Sequence, residues 1–349
     1  MPHTPRPFRL AINGYGRIGR CFLRALHEAD LFDRLPVVAI NEPADLKSMI
    51  HLTRFDSTHG RLPDRVEAMD GGMRIGAAPI AVTHATTPEE ADWQEQDIDL
   101  LVECSGVYGQ RAELQRFLTA GCRRVLVSHP ANSAADVDAT VVYGINHDQL
   151  DPSARIVSNA SCTTNAIVPV LALLDEALGL DQVLLTTLHA AMNDQPLIDG
   201  YHHHDLRRTR SAMQSIIPVA TGLARGVERL LPQLADRVQA RAIRVPTHNV
   251  SAIELVVSVR RDISREALNT LLREATHMHP GRLDYSDDAH ASIDFNHDPH
   301  SAIIDGSQTT VSGGRLLHLL VWFDNEWGFA NRMVDVARHW LTHLPAARS

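Results

Sequence analysis

The first 160 residues alternate short apolar runs with longer stretches in which apolar positions recur every three or four residues. Short runs rich in Val, Ile and Leu, bounded by turn residues, are typical of strands buried on both faces. Such runs predict strands at Phe8–Asn13, Pro36–Asn41, Asp97–Cys104, Arg124–Ser128, Thr140–Tyr143 and Arg155–Ser158. Helices are predicted between some of them, at Ile18–Ala29 and Ala112–Ala120. This alternation predicts an α/β domain with a doubly wound parallel sheet, the Rossmann arrangement.

The pattern changes from about Ser161 onward. Several strands there follow one another without intervening helices, which favours an α+β domain with a mainly antiparallel sheet. The predicted helices are Ser161–Leu178, Ser264–Thr276 and a last helix from Trp327 to Leu341. The predicted strands are Val183–Leu188, Arg241–Val245, Ser251–Arg260, Ser301–Ile304 and Leu316–Phe323. Between them lies a polar segment, Asn193–Gln214, whose length indicates a functional or interface role.

Charge and composition narrow the classes of protein that fit this fold. The formal net charge of −9 disfavours a general nucleic-acid binder, because phosphate backbones select basic surfaces. The four cysteines contain no C-x-x-C pair, so neither a disulfide framework nor a zinc ribbon is expected. The chain shows no signal peptide and no run of about 18 apolar residues. We therefore expect a soluble, cytoplasmic protein without a membrane partner.

A glycine motif, Gly14-x-Gly16-x-x-Gly19, joins the first predicted strand to the first helix. Glycines at this spacing allow a tight turn and the close approach of a pyrophosphate to the helix N-terminus. The second strand ends at Asn41-Glu42, and Glu42 lies 23 residues after Gly19, where a carboxylate can accept hydrogen bonds from ribose hydroxyls. The alternative is a glycine turn that only packs helix on strand. Together the motif and Glu42 predict NAD as cofactor, since Glu42 would repel the 2′-phosphate of NADP.

Cys162 lies in Ser-Cys-Thr-Thr-Asn at the start of a predicted helix. A thiol in the first turn of a helix has its thiolate stabilised by unpaired amides, so we expect a lowered pKa and a nucleophilic role. The alternative is a small buried apolar side chain, the interpretation we give Cys21, Cys104 and Cys122.

Histidine and arginine side chains supply further candidates. His189 ends the strand after the Cys162 helix, although it is one of 20 histidines. Arg244 and the arginines of the polar segment could bind a phosphate through forked donors, or could lie solvated at the surface. The triplet His202 to His204 suggests a metal, but adjacent side chains diverge and no suitable carboxylate or cysteine accompanies them, so no metal is predicted.

These motifs together resemble the glyceraldehyde-3-phosphate dehydrogenase family. The matching segments follow in the same order along almost the whole chain, and the one around Cys162 is highly specific. They are Asn13–Arg20, Ser158–Asn165, Ser215–Pro218, Arg244–Thr247 and Asp324–Gly328.

The resemblance implies roles for individual residues. Cys162 would be the nucleophile and His189 its activating base. The positions that in the family contact the substrate or its phosphate are Ser161, Thr163, Arg208, Thr221, Gly222 and Arg244. Beside the three motif glycines, the positions that contact the cofactor are Arg17, Ile18, Glu42, Ser128 and Asn325.

The resemblance also implies the organisation of the chain. Residues 1–160 would bind NAD, residues 161–324 would form the catalytic domain, and the terminal helix within residues 325–349 would return to the first domain. The family further implies a homotetramer in which the Asn193–Gln214 segment lies between subunits.

Within the family, the chain looks most like the D-erythrose-4-phosphate dehydrogenase branch. The segments that favour this branch are Asn41–Asp45, Gly106–Gly109, His189–Gln195 and Asp294–Ser301. Phosphorylating members usually carry Asn-Asp after the second strand and a threonine three residues after the histidine, where this chain has Glu42 and Met192. The resemblance implies NAD-dependent oxidation of D-erythrose 4-phosphate to 4-phospho-D-erythronate, within pyridoxal 5′-phosphate biosynthesis, through a Cys162 thioester that water hydrolyses.

Three alternatives remain open at the level of sequence. The first is a phosphorylating glyceraldehyde-3-phosphate dehydrogenase, which acts on another sugar-phosphate aldehyde. The second is a non-catalytic NAD-binding regulator, which the presence of both Cys162 and His189 disfavours. The third is a cysteine hydrolase without cofactor, which leaves Glu42 and the glycine motif unexplained.

Overall fold

The computed structural model describes residues 6–202 and 205–343, and the chain divides into two compact units. One unit comprises the residues up to Ser161 together with those from Ala330 onward. The other comprises Cys162–Phe329. No helix among the described residues is both long and apolar enough to cross a membrane.

A nine-stranded sheet forms the centre of the first unit, in the order β10-β11-β9-β8-β1-β2-β7-β6-β5. Its strands, with the separate pair β3–β4, are β1 Leu10–Asn13, β2 Val37–Asn41, β3 Phe55–Asp56, β4 Gly60–Arg61, β5 Val66–Met69, β6 Gly72–Ile75, β7 Ala78–Thr83, β8 Leu100–Glu103, β9 Val125–Val127, β10 Ala139–Thr140 and β11 Ile156–Ser158. The α-helices up to Ser161 are α1 Arg17–Glu28, α2 Leu46–Arg54 and α3 Arg111–Thr119. Short 3₁₀ helices are Pro88–Glu90, Trp93–Gln96, Ala134–Asp136 and His147–Gln149.

The predicted parallel, doubly wound sheet is confirmed. Strands β1 and β8 pair in parallel, as do β1 and β2, so the chain reverses its direction of winding beside β1. Such a switch point opens a crevice at the carboxyl ends of the strands, where ligands of this fold bind. The central strands are fully buried, which explains their uninterrupted runs of Val, Ile and Leu.

Three strands at one edge of this sheet were not predicted from the sequence. Strands β5, β6 and β7 pair antiparallel, and each combines buried with exposed or half-buried positions. A turn with Gly71 at φ +71° joins β5 to β6. Asp70-Gly71 is a hairpin signal that the sequence contained. The last predicted strand before Arg155 is shorter than expected and ends at Thr140.

A seven-stranded sheet organises the second unit, in the order β13-β14-β12-β15-β18-β17-β16. Its strands are β12 Leu180–Ala190, β13 Ile217–Val219, β14 Val238–Val245, β15 Ser251–Val259, β16 Leu283–Ser286, β17 Ala302–Ser312 and β18 Leu316–Phe323. The helices are α4 Cys162–Leu178, α5 Leu223–Leu230, α6 Arg265–Met278 and the start of α7 Trp327–Thr342, with 3₁₀ helices Leu206–Thr209, Pro232–Leu234 and Ser292–Phe295. The sheet is mainly antiparallel, as predicted, but β12–β14 and β16–β17 are parallel pairs.

Helix α4 packs against β12, β15, β17 and β18, and against α5. Its side chains from Thr163 to Leu171 are almost all buried, which explains why this helix is apolar around its circumference. The packing holds the first residue of α4, Cys162, near the carboxyl end of β12. Ala160, two residues earlier, has φ +56°, an uncommon conformation for a non-glycine residue.

Candidate active site

The glycine loop of the first unit has the shape that a pyrophosphate requires. Gly14 has φ +83°, and a Cβ there would lie 2.4 Å from the backbone nitrogen of Ser105. A Cβ on Gly19 would lie 2.3 Å from the carbonyl oxygen of Gly14, so this glycine lets α1 approach β1. A Cβ on Gly16 would meet nothing within 4 Å. The loop therefore leaves open space beside the N-terminus of α1 for a phosphate group.

Glu42 lies beside this loop, but its carboxylate also supports the loop itself. Its Oε2 accepts a hydrogen bond from the amide of Tyr15 at 2.7 Å, and its Oε1 accepts from the amide of Ala44 at 3.2 Å. Each oxygen keeps a further lone pair with which to accept from ribose hydroxyls. Replacing Glu42 would therefore disturb the glycine loop as well as any contact with a ribose.

The side chain of Arg17 is engaged within the protein. Its guanidinium forms an ion pair with Asp56. Burial acts to raise the pKa of Asp56, but Arg17 and the amides of Thr58 and His59 outweigh burial and hold that pKa well below its usual range. Arg17 and Ile18 begin α1, so backbone amides rather than the guanidinium are placed to bind a cofactor phosphate.

A buried chain of polar side chains, Glu103, Asn13 and Asn41, crosses the carboxyl ends of β8, β1 and β2. Asn13 donates to the Glu103 carboxylate, and Asn41 donates to Oδ1 of Asn13 at 2.9 Å. Burial raises the pKa of Glu103 to about 7, although hydrogen bonds from Ser105 and Asn13 act in the opposite direction. The amide of Ser128 donates to the Glu103 carbonyl at 3.0 Å. These hydrogen bonds therefore tie together the strand ends that surround the glycine loop.

In the second unit, the sheet brings His189 and Arg244 side by side. They are register partners on the parallel strands β12 and β14. Arg244 places NH1 2.7 Å from Nδ1 of His189 and 3.3 Å from the carbonyl oxygen of Ala190. The other ring nitrogen of His189, Nε2, lies 3.6 Å from Sγ of Cys162. A thiol, an imidazole and a guanidinium thus form one contiguous group.

The surroundings of this group favour its neutral thiol and imidazole forms. Burial raises the pKa of the Cys162 thiol, and the hydrogen bond from Thr163 and the charge of Arg244 do not cancel that effect. Burial and then the positive charge of Arg244 lower the pKa of His189 to about 4. The expectation that the helix terminus lowers the thiol pKa is therefore wrong for the free protein, because burial outweighs the first turn of α4.

The other predicted phosphate ligands lie on two separate segments. Arg208, in the 3₁₀ turn Leu206–Thr209, donates to Asp194 at 2.7 Å and lies 3.6 Å from Asp205. Thr221 and Gly222 are exposed before α5, where the Thr221 hydroxyl accepts from the amide of Leu223 at 3.2 Å. Asp194 interacts electrostatically with both His189 and Arg244, so one carboxylate links the two arginines.

The remaining predicted contact residues are Ser161, Thr163 and Asn325. Thr163 is buried beside Cys162, with its hydroxyl 3.8 Å from Sγ, and Ser161 directly precedes Cys162 in the chain. Asn325 belongs to the unit that contains Cys162, where its Oδ1 accepts from the hydroxyl of Ser251 at 2.7 Å. His203 and His204, considered above as metal ligands, lie outside the described residues.

Sequence reasoning missed three members of these networks. Glu103 carried a usable signal, because it is an acid at the end of an otherwise apolar strand. Asp194 lies among the polar residues of the Asn193–Gln214 segment, and Ser251 is an ordinary first residue of a strand. Nothing in the sequence distinguished these two, because their partners are 14 and 74 residues away along the chain.

Two family models match the chain. Residues 8–111 match the model described as glyceraldehyde 3-phosphate dehydrogenase, NAD binding domain. Residues 161–325 match the model described as glyceraldehyde 3-phosphate dehydrogenase, C-terminal domain. Together the matches cover more than three quarters of the chain, and the first identifies the cofactor as NAD.

Proposed function

Because the chain belongs to the glyceraldehyde-3-phosphate dehydrogenase family, we propose that this NAD-dependent dehydrogenase oxidises D-erythrose 4-phosphate to 4-phospho-D-erythronate. The observation that carries the chemistry is the contact between Sγ of Cys162 and Nε2 of His189, with Arg244 on the opposite side of the imidazole ring. A nucleophile beside a base, and a base oriented by a third group, is the arrangement of covalent catalysis.

The sulfur of Cys162 adds to the aldehyde carbon, and the former carbonyl oxygen becomes a hydroxyl. Developing negative charge on that oxygen is met by the backbone amide of Cys162 and the imidazole of His189. NAD, when bound, supplies a hydride acceptor for the former aldehyde carbon. His189 takes the hydroxyl proton as the hydride leaves, and a thioester to Cys162 remains. His189 releases that proton to solvent. Water then cleaves the bond between the acyl carbon and Sγ, while His189 takes the proton that the water gives up and passes it to the departing sulfur of Cys162.

Arg244 connects substrate binding to the state of His189. The carbonyl oxygen of Ala190 lies 2.9 Å from Nδ1, which suits a proton on that nitrogen, whereas Arg244 at 2.7 Å suits a lone pair there. A substrate phosphate that draws the guanidinium away removes this competition. Nδ1 then keeps its proton toward Ala190, and the lone pair of Nε2 faces Cys162. Phosphate binding would thereby prepare the base for its task.

Two features support hydrolysis of the thioester rather than cleavage by inorganic phosphate. Met192 stands where phosphorylating members carry a threonine, and its thioether, in a side chain that is 46% exposed, cannot donate a hydrogen bond to an anion. Arg208 is already compensated by Asp194 and Asp205, so an inorganic phosphate would have to displace a carboxylate from it. Both features weaken a site for free phosphate near the thioester.

The substrate can be tested with the purified protein. NADH formation should be faster with erythrose 4-phosphate than with glyceraldehyde 3-phosphate, and inorganic phosphate should not accelerate it. Met192→Thr should raise activity on glyceraldehyde 3-phosphate about tenfold to a hundredfold, the worth of one hydrogen bond to a charged group. Met278→Thr, an exposed methionine at the end of α6, is the matched control and should change neither substrate's rate. Turnover that requires inorganic phosphate would identify a phosphorylating glyceraldehyde-3-phosphate dehydrogenase instead.

We also propose that the protein assembles as a homotetramer through the Asn193–Gln214 segment. This segment exposes four large apolar side chains, and such a concentration is typical of an interface. They are Leu197, Ile198, Tyr201 and Leu206. Ile198→Asp with Leu206→Asp should convert a species of four times 38.5 kDa into smaller ones, as measured by light scattering. Ile293→Asp, equally exposed elsewhere, should leave the mass unchanged, and a native monomer would refute the assembly.

The proposed setting is the cytoplasm, in pyridoxal 5′-phosphate biosynthesis. The four cysteines are free thiols, as expected in a reducing compartment. The biosynthetic role rests on the resemblance to the D-erythrose-4-phosphate dehydrogenase branch and on the substrate proposed above.

A further inference from the structure

We propose that Ser251 is a positioning residue that determines which end of the Asn325 amide is presented to the cofactor. The proposal rests on the proposed function, in which Asn325 contacts the nicotinamide and His189 is the base. Ser251 begins β15 and is 1% exposed. It pairs across the sheet with Phe323, two residues before Asn325, and the Phe323 ring lies edge-on to His189.

The hydroxyl of Ser251 joins the end of β12 to Asn325. Its Oγ accepts a hydrogen bond from the amide of Ala190 at 3.1 Å, and an amide can only donate. The single hydroxyl proton donates to Oδ1 of Asn325 at 2.7 Å. The hydroxyl therefore accepts on one side and donates on the other.

This direction determines how the Asn325 side chain is oriented. Because Oδ1 is held by Ser251, Nδ2 is the polar atom left for a ligand, and it makes no hydrogen bond within the described part of the chain. Asn325 is 8% exposed, so its amide is mostly enclosed by the protein. A carboxamide oxygen, as nicotinamide carries, is a suitable acceptor for that NH₂ group. A flipped amide would lose the hydrogen bond that Ser251 donates and would turn Oδ1, an acceptor, toward that carboxamide oxygen.

The same contacts join Asn325 to the strand end that carries the base. The amide of Ala190 donates to Ser251, and its carbonyl oxygen contacts both Nδ1 of His189 and NH1 of Arg244. A single residue at the end of β12, Ala190, thus contributes its N–H to the series that reaches Asn325 and its carbonyl oxygen to the imidazole. A shift of Ala190 would move both groups together.

The backbone before Ser251 also holds this residue in a specific position. Val250 has φ +64°, a conformation that is rare for a β-branched residue. Asn249, one residue earlier, donates to the buried carboxylate of Asp324 at 2.7 Å. The loop that carries Ser251 is therefore fastened to the residue next to Asn325 from a second side.

The test measures the affinities of the native protein and its variants for two ligands by isothermal titration calorimetry. NAD carries the carboxamide, and ADP-ribose has the same adenosine and pyrophosphate but no nicotinamide. Ser251→Ala should raise the Kd for NAD about threefold to tenfold, the worth of one neutral hydrogen bond. Its Kd for ADP-ribose should stay within twofold of the native value. Ser251→Thr, which keeps the hydroxyl, should restore the native ratio of the two Kd values.

Ser258→Ala is the matched control. Ser258 lies on the same strand, and its hydroxyl accepts from the amide of Gln182 on β12, but it has no contact with Asn325. This variant should leave both affinities unchanged. If Ser251→Ala folds poorly, as shown by its melting temperature, Ser251→Cys keeps the volume and removes the strong donor, and the same ratio is measured.

The outcomes separate this proposal from the proposed function. If Ser251→Ala lost affinity equally for NAD and ADP-ribose, or lost no affinity for either ligand, the proposed role of Ser251 would be overturned. Asn325→Ala should change the ratio by at least as much as Ser251→Ala. An unchanged ratio in Asn325→Ala would show that Asn325 does not contact the nicotinamide, and failure of the native protein to reduce NAD would refute the proposed function itself.

Discussion

Replacing Cys162 with alanine is expected to lower NADH formation by at least about a thousandfold, because covalent catalysis does not survive loss of its nucleophile. NAD affinity and melting temperature should stay close to the native values, since the glycine loop and Glu42 belong to the other unit of the chain. The measurement is a steady-state assay with erythrose 4-phosphate, accompanied by calorimetric titration of NAD.

The control for this variant is Cys122→Ala. Cys122 is buried in the core of the first unit, where burial raises the pKa of its thiol to about 12. Its replacement should cost stability through a small cavity but leave turnover unchanged. Iodoacetate should accordingly modify Cys162 first. More than a few per cent of native activity in Cys162→Ala would mean that no thioester forms at this residue.

His189→Asn is expected to lower kcat about a hundredfold to ten thousandfold, the contribution of a well-placed general base. Asparagine keeps a polar side chain but cannot accept the proton that leaves with the hydride. The expected loss lies in kcat rather than in NAD affinity, because His189 touches Cys162 and Arg244. His248→Asn, an exposed histidine near Arg244 in sequence, is the control and should keep native turnover.

The pH dependence of Cys162 alkylation tests the charge state of the pair. A raised thiol pKa leaves less thiolate at any pH below it, so Cys162 should react with iodoacetamide at pH 7 more slowly than a free cysteine does. The alkylation rate should increase only above the pH range in which free thiols ionise. With a pKa of about 4, His189 stays neutral above that pH and contributes no imidazolium to hold a thiolate. Fast alkylation below pH 7 that disappears in His189→Asn would instead demonstrate a thiolate–imidazolium pair.

The pattern of apolar positions was sufficient to predict strands that are buried on both faces and helices that are buried on one face. The apolar runs around Ile12, Ile40 and Val102 predicted central strands because a strand in a parallel sheet has no polar face. The hairpin of β5 and β6 was missed because its strands are only four residues long and mix buried with exposed side chains without a regular period. There the turn residues were a better signal than the pattern of apolar positions.

The candidate site likewise has features that the local sequence predicts and features that depend on packing. Two glycines of the loop could be predicted because their requirements are local: a positive φ at Gly14, and close packing of α1 on β1 at Gly19. Cys162 could be assigned because a helix terminus and its neighbouring hydroxyls lie within a few residues. The pKa of its thiol could not, because that depends on how deeply the packing of α4 buries the sulfur.

The order of residues was enough to predict the two kinds of sheet, the glycine loop with Glu42, and a thiol and an imidazole for the chemistry. Three-dimensional packing was needed to show that Arg244 lies against His189, that Asp194 pairs with Arg208, and that Ser251 donates to Asn325. The difference lies in the range of the interactions. Turns, caps and periodic burial act between neighbours in the chain. These three contacts join polar groups that are 55, 14 and 74 residues apart, and nothing local in the sequence indicates them.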